Sequence, residues 1–176
     1  NPCAEVPLED GGACNLGSLN LSRFVENGYD DHAKINWDQL AESTAILVRF
    51  LDNVVTWNED LNALEKQRIA ASETRRLGIG IMGIADMLNQ LGINYDSKEG
   101  IDIITRAMEF ITNASYQASA CLAAEKGASP IFEEEKYLEC PFIDEALSDE
   151  TIKIIKDNGL RNIAIMSIAP TGSISN

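Results

Sequence analysis

The chain opens on Asn1-Pro2-Cys3-Ala4-Glu5, which a short spacer joins to Cys14-Asn15-Leu16-Gly17-Ser18. Proline pushes the residue before it out of the helical region, so Asn1 is expected to be extended. In an extended segment every second residue faces the same side. If residues 1–5 are extended, the side chains of Asn1, Cys3 and Glu5 converge on one small volume.

These side chains suit chemistry on a polyhydroxylated substrate. The Glu5 carboxylate can accept a proton from a hydroxyl group, and the Asn1 carboxamide can donate and accept hydrogen bonds beside it. Cys3 could be a nucleophile, a redox thiol or a hydrogen-atom carrier, and Cys14 offers a second thiol. Spacing alone also fits an ordinary loop with a chance cysteine and a surface carboxylate, because short motifs have a real false-positive rate.

The composition is that of an acidic globular protein. The 176 residues have a formal net charge of -14, with 45% hydrophobic and 24% charged residues. A chain of this length can bury a core as one domain. Its charge disfavours direct nucleic-acid binding, which needs a surface rich in Lys and Arg. No run is long enough to span a membrane and no secretory signal is visible, so we expect no membrane partner.

The four cysteines do not suggest a disulfide framework or a zinc site. They lie at positions 3, 14, 121 and 140, without a Cys-x-x-Cys pair, and His32 is the sole histidine. We therefore expect no bound metal and a reducing, cytoplasmic compartment. A hydrolase based on histidine is disfavoured because His32 lies in a polar stretch, where we expect an exposed loop.

Apolar spacing predicts mainly α structure with a few β-strands. Helical periodicity and caps predict helices over 36–55, within 58–76, from Ser97 to Gly127 and from Ser148 to Gly159. Trp57 and Cys121 are expected in the core. The apolar run 162–168 predicts a buried strand.

Gly78, Gly80 and Gly83 form Gly-x-Gly-x-x-Gly, but not in a dinucleotide-binding context. That motif follows a buried strand, whereas the residues before Gly78 are polar. The apolar spacing after it favours a helix, with the glycines allowing close packing on a sheet. The preceding Arg75-Arg76 pair fits either structural pairing with carboxylates and helix carbonyls or an anion contact.

Three segments together resemble the large catalytic subunit of ribonucleotide reductase. They are the opening loop with Cys14-Asn15-Leu16-Gly17-Ser18, the run from Arg75 to Asp86, which looks like the family's core helix, and Ala169-Pro170-Thr171-Gly172-Ser173-Ile174-Ser175, which looks like its substrate-phosphate loop. They occur in the family's order across nearly the whole chain. The variant looks most like the adenosylcobalamin-dependent (class II) enzymes, and some class I subunits share it.

The resemblance implies roles for individual residues. Cys3 matches the cysteine whose thiyl radical takes the 3′ hydrogen of the ribose, and Glu5 matches the base that removes the 3′-hydroxyl proton. Asn1 matches the amide that holds the ribose hydroxyls. Cys14 matches one member of the reducing pair, whose other member lies upstream in the family. The residues matching the phosphate loop are Thr171, Gly172, Ser173 and Ser175.

The resemblance also implies the setting of these residues. We expect residues 1–176 to be a fragment of a ten-stranded α/β barrel, incomplete at both ends, because catalytic subunits are several times longer. An interrupted coding sequence or an expressed fragment would explain this. The implied partners are a ribonucleotide, the remaining reductase segments, a thioredoxin-type reductant and a second copy of the enzyme. Adenosylcobalamin is the implied cofactor, with its binding residues not identifiable here.

Three alternatives stay open at this stage. The radical source could instead be a di-metal partner subunit, and the substrate could be a diphosphate or a triphosphate. The chain could be a non-catalytic helical module derived from the enzyme. It could also be an unrelated thiol enzyme.

Overall fold

The computed structural model describes residues 4–175, without the side chain of Ser175. The roles expected for Asn1 and Cys3 therefore lie outside the described residues. Seven helices dominate this part of the chain: α1 Trp37–Asn58, α2 Glu65–Thr74, α3 Ile84–Leu91, α4 Lys98–Lys126, α5 Glu134–Leu138, α6 Pro141–Ala146 and α7 Asp149–Asn158. The strands are β1 Asn15–Asn20, β2 Val25–Glu26, β3 Lys34–Ile35 and β4 Leu77–Met82. The predicted class, mainly α with a few strands, is confirmed.

The long helices begin where the capping residues predict. Asn36 Oδ1 accepts a hydrogen bond from the Gln39 N–H at 2.9 Å at the start of α1. Ser97 Oγ accepts one from the Gly100 N–H at 3.0 Å at the start of α4. A side-chain oxygen at this position satisfies a backbone donor that has no partner within the helix.

One face of α1 packs against the strands and α4, but two residues predicted to be in the core lie outside it. Leu40, Val48 and Val55 are buried on the inner face of α1. Trp57 is 73% exposed, and Cys121 on α4 is exposed. Both predictions were wrong because an apolar residue near the end of a long helix can fall on its outer face.

The centre of the fold is a parallel pair of strands. β1 pairs with β4 from Asn15↔Leu77 to Asn20↔Met82. Segment 163–168 runs along the other side of β4. The Ile79 N–H of β4 donates to the Ile165 carbonyl of this segment at 2.7 Å. Residues 162–168 were predicted to form a buried strand. They form only one isolated bridge, Ile79↔Met166, and the described residues contain no closed barrel.

β4 corrects the prediction that the glycine-rich run is helical. The run is a strand up to Met82, and α3 begins after Gly83, whose φ of 72° suits glycine. A Cβ on Gly78 would collide with Leu16, and a Cβ on Gly80 would lie 2.5 Å from the Ser167 carbonyl oxygen. The glycines therefore allow close approach of neighbouring extended segments, not of a helix.

Gly80→Ala is expected to destabilise the protein by about 1–3 kcal/mol, as overpacking of a tight site does. The atom in the way is a backbone oxygen, so relief requires β4 and segment 163–168 to separate. This outweighs the gain of about 0.4–1 kcal/mol from restricting the unfolded chain. Urea denaturation measures the change. Gly28→Ala is the matched control, since the atoms nearest to its Cβ would belong to the flexible Gln90 side chain, at 3.2 Å or more; equal midpoints for the two variants would contradict the expectation.

A buried charge cluster links the residues directly before β4 to those directly before segment 163–168. The Asp52 side chain is 0% exposed and accepts from Arg75 Nε at 2.9 Å. Arg161 Nε and Lys126 Nζ lie 3.3 and 3.4 Å from its oxygens. Asn162 Nδ2 donates to Asp52 Oδ1 at 3.2 Å and to the Arg75 carbonyl at 2.9 Å. The cluster thus fixes the entry to β4 and to segment 163–168, and supports the structural interpretation of Arg75.

Candidate active site

The amino-terminal segment meets the segment that leads to the carboxyl-terminal loop. Ser167 Oγ donates a hydrogen bond to the Glu5 carbonyl oxygen at 3.2 Å, although 162 positions separate the two residues. The Glu5 side chain is half-buried, and its Oε2 is buried with no hydrogen-bond partner among residues 4–175. A buried carboxylate oxygen without a donor is costly. Glu5 can therefore accept a proton or a hydrogen bond from a ligand.

Cys14 lies beside the contact between Ser167 and Glu5. It directly precedes β1, and its Sγ is 3.1 Å from the place where a Gly78 Cβ would be. Ser167 Cβ is 3.2 Å from that same place. The thiol and Ser167 therefore flank Gly78, and only the absence of a side chain on Gly78 gives them room.

The surroundings of Cys14 keep it protonated at neutral pH. Burial raises the pKa of the Cys14 thiol most strongly, Arg76 lowers it, and Glu5 and Glu9 raise it, with a net value of about 11. The thiolate is the nucleophilic form of cysteine. Before reaction, Cys14 is thus suited to donate a proton or a hydrogen atom, while nucleophilic attack would require prior loss of its proton.

The carboxyl-terminal loop borders a groove at the end of β4. The groove has a volume of about 440 Å³, and its lining includes the start of α3 and the residues from Ile168 to Thr171. Among residues 4–175, no side chain caps the first turn of α3, so its backbone N–H groups favour negative charge. Asp86 also lines the groove and opposes an anion there.

The predicted phosphate-binding residues lie at the carboxyl-terminal end of the described chain. Thr171 lines the groove and has a left-handed backbone with φ of 62°. Gly172 and Ser173 are exposed just beyond it, and a short 3₁₀ turn covers Ser173–Ser175. The side chain of Ser175 is not described. The loop thus presents small residues to solvent next to an uncapped helix start.

Sequence reasoning missed three residues at the site. Ser167 was placed only within an apolar strand, and Asp86 and Tyr95 line the groove without having been singled out. The fold, and not a sequence motif, brings each of them to the site. The nearest sequence signal was that Ser167 is a polar residue inside an apolar run.

The described residues show neither a metal centre nor a membrane-spanning helix. Within 4–175, no group of three or more His, Cys, Asp or Glu side chains is arranged to hold a metal ion. No helix in that range combines the length and the apolar character needed to cross a bilayer.

The sequence of this chain defines its class. The family model described as the ribonucleotide reductase barrel domain matches residues 1–176. The chain therefore belongs to the ribonucleotide reductase barrel-domain family, as its opening loop, central run and final loop suggest.

The chain is also similar to individual reductases. The chain is 38% identical over 177 residues to the vitamin B12-dependent ribonucleoside-diphosphate reductase of Mycobacterium tuberculosis, covering 99% of this chain and 22% of that protein. It is 38% identical over 175 residues to the protein of the same name from Thermoplasma acidophilum, with 99% and 20% coverage. It is 31% identical over 202 residues to the ribonucleoside-diphosphate reductase subunit alpha of Chlamydia muridarum, with 100% and 18% coverage. The chain spans about a fifth of the length of these relatives.

Proposed function

We propose that the full-length gene product is a ribonucleotide reductase, which makes deoxyribonucleotides for DNA replication, and that residues 1–176 form part of its catalytic barrel. The observation that carries this proposal is the hydrogen bond from Ser167 to the Glu5 carbonyl, with Cys14 beside the same serine. Residues from the two ends of the chain lie together there. A single nucleotide requires such proximity if one end supplies the reacting groups and the other holds the phosphates.

The proposed roles begin with the opening loop. A thiyl radical on Cys3 takes the 3′ hydrogen of the ribose, and Asn1 holds the ribose hydroxyls. Glu5 accepts the 3′-hydroxyl proton, which agrees with its buried oxygen having no partner among the described residues. A carboxylate without a competing donor is better placed to act as a base.

Cys14 is proposed as one member of the reducing pair. The 2′-hydroxyl leaves as water after receiving a proton from a thiol, so the thiol has to be protonated beforehand. The high pKa of Cys14 meets this requirement. Two electrons then come from Cys14 and a second cysteine, which become a disulfide, and Cys3 returns its hydrogen to the 3′ carbon.

Thr171, Gly172, Ser173 and Ser175 are proposed to hold the substrate phosphates. Hydroxyl groups and backbone N–H groups can bind a phosphate without a lysine. The start of α3 lines the same groove and has no side-chain cap among the described residues, so its backbone N–H groups add favourable donors. Because the relatives are named diphosphate reductases, we propose a ribonucleoside diphosphate as substrate.

Adenosylcobalamin is proposed as cofactor of the full-length enzyme, on the strength of the 38% identical vitamin B12-dependent relatives. It would supply the radical that Cys3 receives. The groove is lined largely by apolar side chains and by the Asp86 carboxylate, a poor match for a corrin with many amide groups. We therefore assign adenosylcobalamin to no residue in 4–175. A thioredoxin-type reductant, a second copy of the enzyme and a cytoplasmic location belong to the same proposal.

Cys14→Ser is expected to abolish multiple turnover of the full-length gene product. A hydroxyl cannot form the disulfide that supplies the two electrons. The measurement is deoxyribonucleoside diphosphate formed from a ribonucleoside diphosphate, with adenosylcobalamin and a dithiol reductant. Cys121→Ser, at an exposed position on α4, is the matched control and should keep full activity. Equal turnover by Cys14→Ser and Cys121→Ser would remove Cys14 from the mechanism.

A further inference from the structure

We propose that Arg76 is a positioning residue for Cys14: its guanidinium is the counter-charge that stabilises the Cys14 thiolate, and Glu9 competes for that guanidinium. The inference deepens the proposed function and rests on it, because the thiolate matters when Cys14 belongs to the reducing pair. The coupling of the two charges can nevertheless be measured independently of the reductase reaction.

The strand register places the two residues together. β1 and β4 run parallel with Asn15 opposite Leu77. Continuing that register by one residue puts Cys14 opposite Arg76. Opposite residues of neighbouring strands point to the same face of a sheet, and Cys14 Sγ lies on the side of β4 toward which a Cβ of Gly78, two positions after Arg76, would point. The arginine and the thiol therefore share one face.

Arg76 has donor capacity to spare, which Arg75 lacks. Arg75 uses its nitrogens on Asp52, Glu59 and Thr56 at 2.6 to 2.9 Å. Arg76 donates from Nη2 to Glu9 at 2.8 Å, and its Nε is buried without a partner among residues 4–175. The Arg76 side chain is only 19% exposed. A guanidinium with a buried free N–H can donate to a thiolate that forms nearby.

The charges around Cys14 come from two parts of the chain. Arg76, directly before β4, favours the thiolate, while Glu5 and Glu9, from the segment before β1, disfavour it. Glu9 acts in two ways, because it repels a negative sulfur and also holds Arg76. The position of Glu9 therefore decides how much of the Arg76 charge is available to the thiolate.

The chemical consequence lies in re-reduction of the disulfide. A thiolate of an external dithiol attacks the sulfur of the second cysteine and forms a mixed disulfide with it, while the original S–S bond breaks and its electron pair passes to the Cys14 sulfur. The second thiol of the dithiol then displaces the second cysteine from the mixed disulfide, which leaves the reductant as the disulfide. Cys14 leaves as a thiolate and then takes up a proton. A thiol of lower pKa leaves faster. Burial alone would make this departure slow, and Arg76 offsets part of that cost.

The test is alkylation of the reduced full-length gene product by iodoacetamide between pH 8 and 9.5, followed at each cysteine by mass spectrometry. Arg76→Gln should slow alkylation of Cys14 about threefold or more, since half a pKa unit changes the thiolate fraction about threefold. Arg76→Lys should restore part of the rate. Glu9→Gln should change it in the opposite direction and speed alkylation of Cys14.

Controls separate a local charge effect from a general loosening. Alkylation of the exposed Cys121 and Cys140 should be unchanged in every variant, and Arg68→Gln, on the exposed side of α2, should leave Cys14 unaffected. An unchanged or faster Cys14 rate in a folded Arg76→Gln protein would overturn the proposal. If that variant fails to fold, a Glu9→Gln rate that is unchanged or slower would overturn it. Retained turnover by Cys14→Ser would refute the redox role of Cys14 while leaving the alkylation result intact.

Discussion

Asp52→Ala is expected to lower the free energy of unfolding by about 3–5 kcal/mol, as removal of one partner from a buried ion pair does. The carboxylate is fully buried among Arg75, Arg161 and Lys126. Without it, the buried Arg75 guanidinium keeps its charge and loses its main partner. Asn162 also loses the acceptor that aligns it between β4 and segment 163–168. Guanidinium chloride denaturation followed by circular dichroism measures the loss.

The matched control is Glu125→Ala, which removes an exposed carboxylate from its pair with Arg49. Solvent screens that pair, so we expect no measurable change in stability. Equal denaturation midpoints for Asp52→Ala and Glu125→Ala would show that the buried cluster contributes nothing to the fold.

The same carboxylate makes stability depend on acid. Burial by itself would raise the pKa of Asp52, but the hydrogen bond and charge of Arg75, with the charge of Arg161, hold the pKa below its usual range. The unfolded chain then binds the proton at a higher pH than the folded one. The contribution of Asp52 is full above the ordinary aspartate pKa of about 3.9 and disappears as pH falls through the lowered folded value. Denaturation midpoints of Asp52→Ala should therefore fall less steeply in that window than those of the unaltered protein.

Glu5→Gln is expected to reduce nucleotide reduction by the full-length gene product by about 10²–10⁴-fold, the usual contribution of a general base. The amide keeps the shape of the side chain but cannot take the 3′-hydroxyl proton. The Glu5 backbone carbonyl, which accepts from Ser167, remains in place, so the fold should be unaffected. Steady-state formation of deoxynucleotide measures the loss, with thermal unfolding as the check on the fold.

Glu145→Gln, at an exposed position on α6, serves as the charge-matched control and should keep full activity. If Glu5→Gln were as active as Glu145→Gln, Glu5 would not be the base. The proposed function would then depend on the cysteines and the carboxyl-terminal loop alone.

The features that sequence reasoning predicted correctly are local ones. α4 starts after Ser97 and ends at Gly127 because a cap, an apolar period and a terminating glycine all lie within the segment itself. The run Leu77–Met82 was misjudged because apolar residues alternating with glycine fit a tightly packed strand as well as the start of a helix. The deciding contact, between Gly80 and Ser167, joins residues distant in sequence.

The candidate site was predictable in its residue types and not in its arrangement. The opening motif directs attention to Glu5 and Cys14, but neither the partnerless Glu5 oxygen nor the high Cys14 pKa follows from spacing. Both depend on burial by segments that arrive from elsewhere in the chain. The neighbourhood of Arg76 and Cys14 depends on the register of two strands separated by α1 and α2.

The contact between Ser167 and Glu5 sets an order of events during synthesis. A ribosome adds about 5–20 residues each second, so the glutamate waits on the order of ten seconds before the serine is made. β4 is made earlier in that interval, so β1 can pair with it before Ser167 is available to Glu5. The contact between Glu5 and Ser167 therefore cannot form until every element from β1 to α7 has been made, and slower translation lengthens that delay.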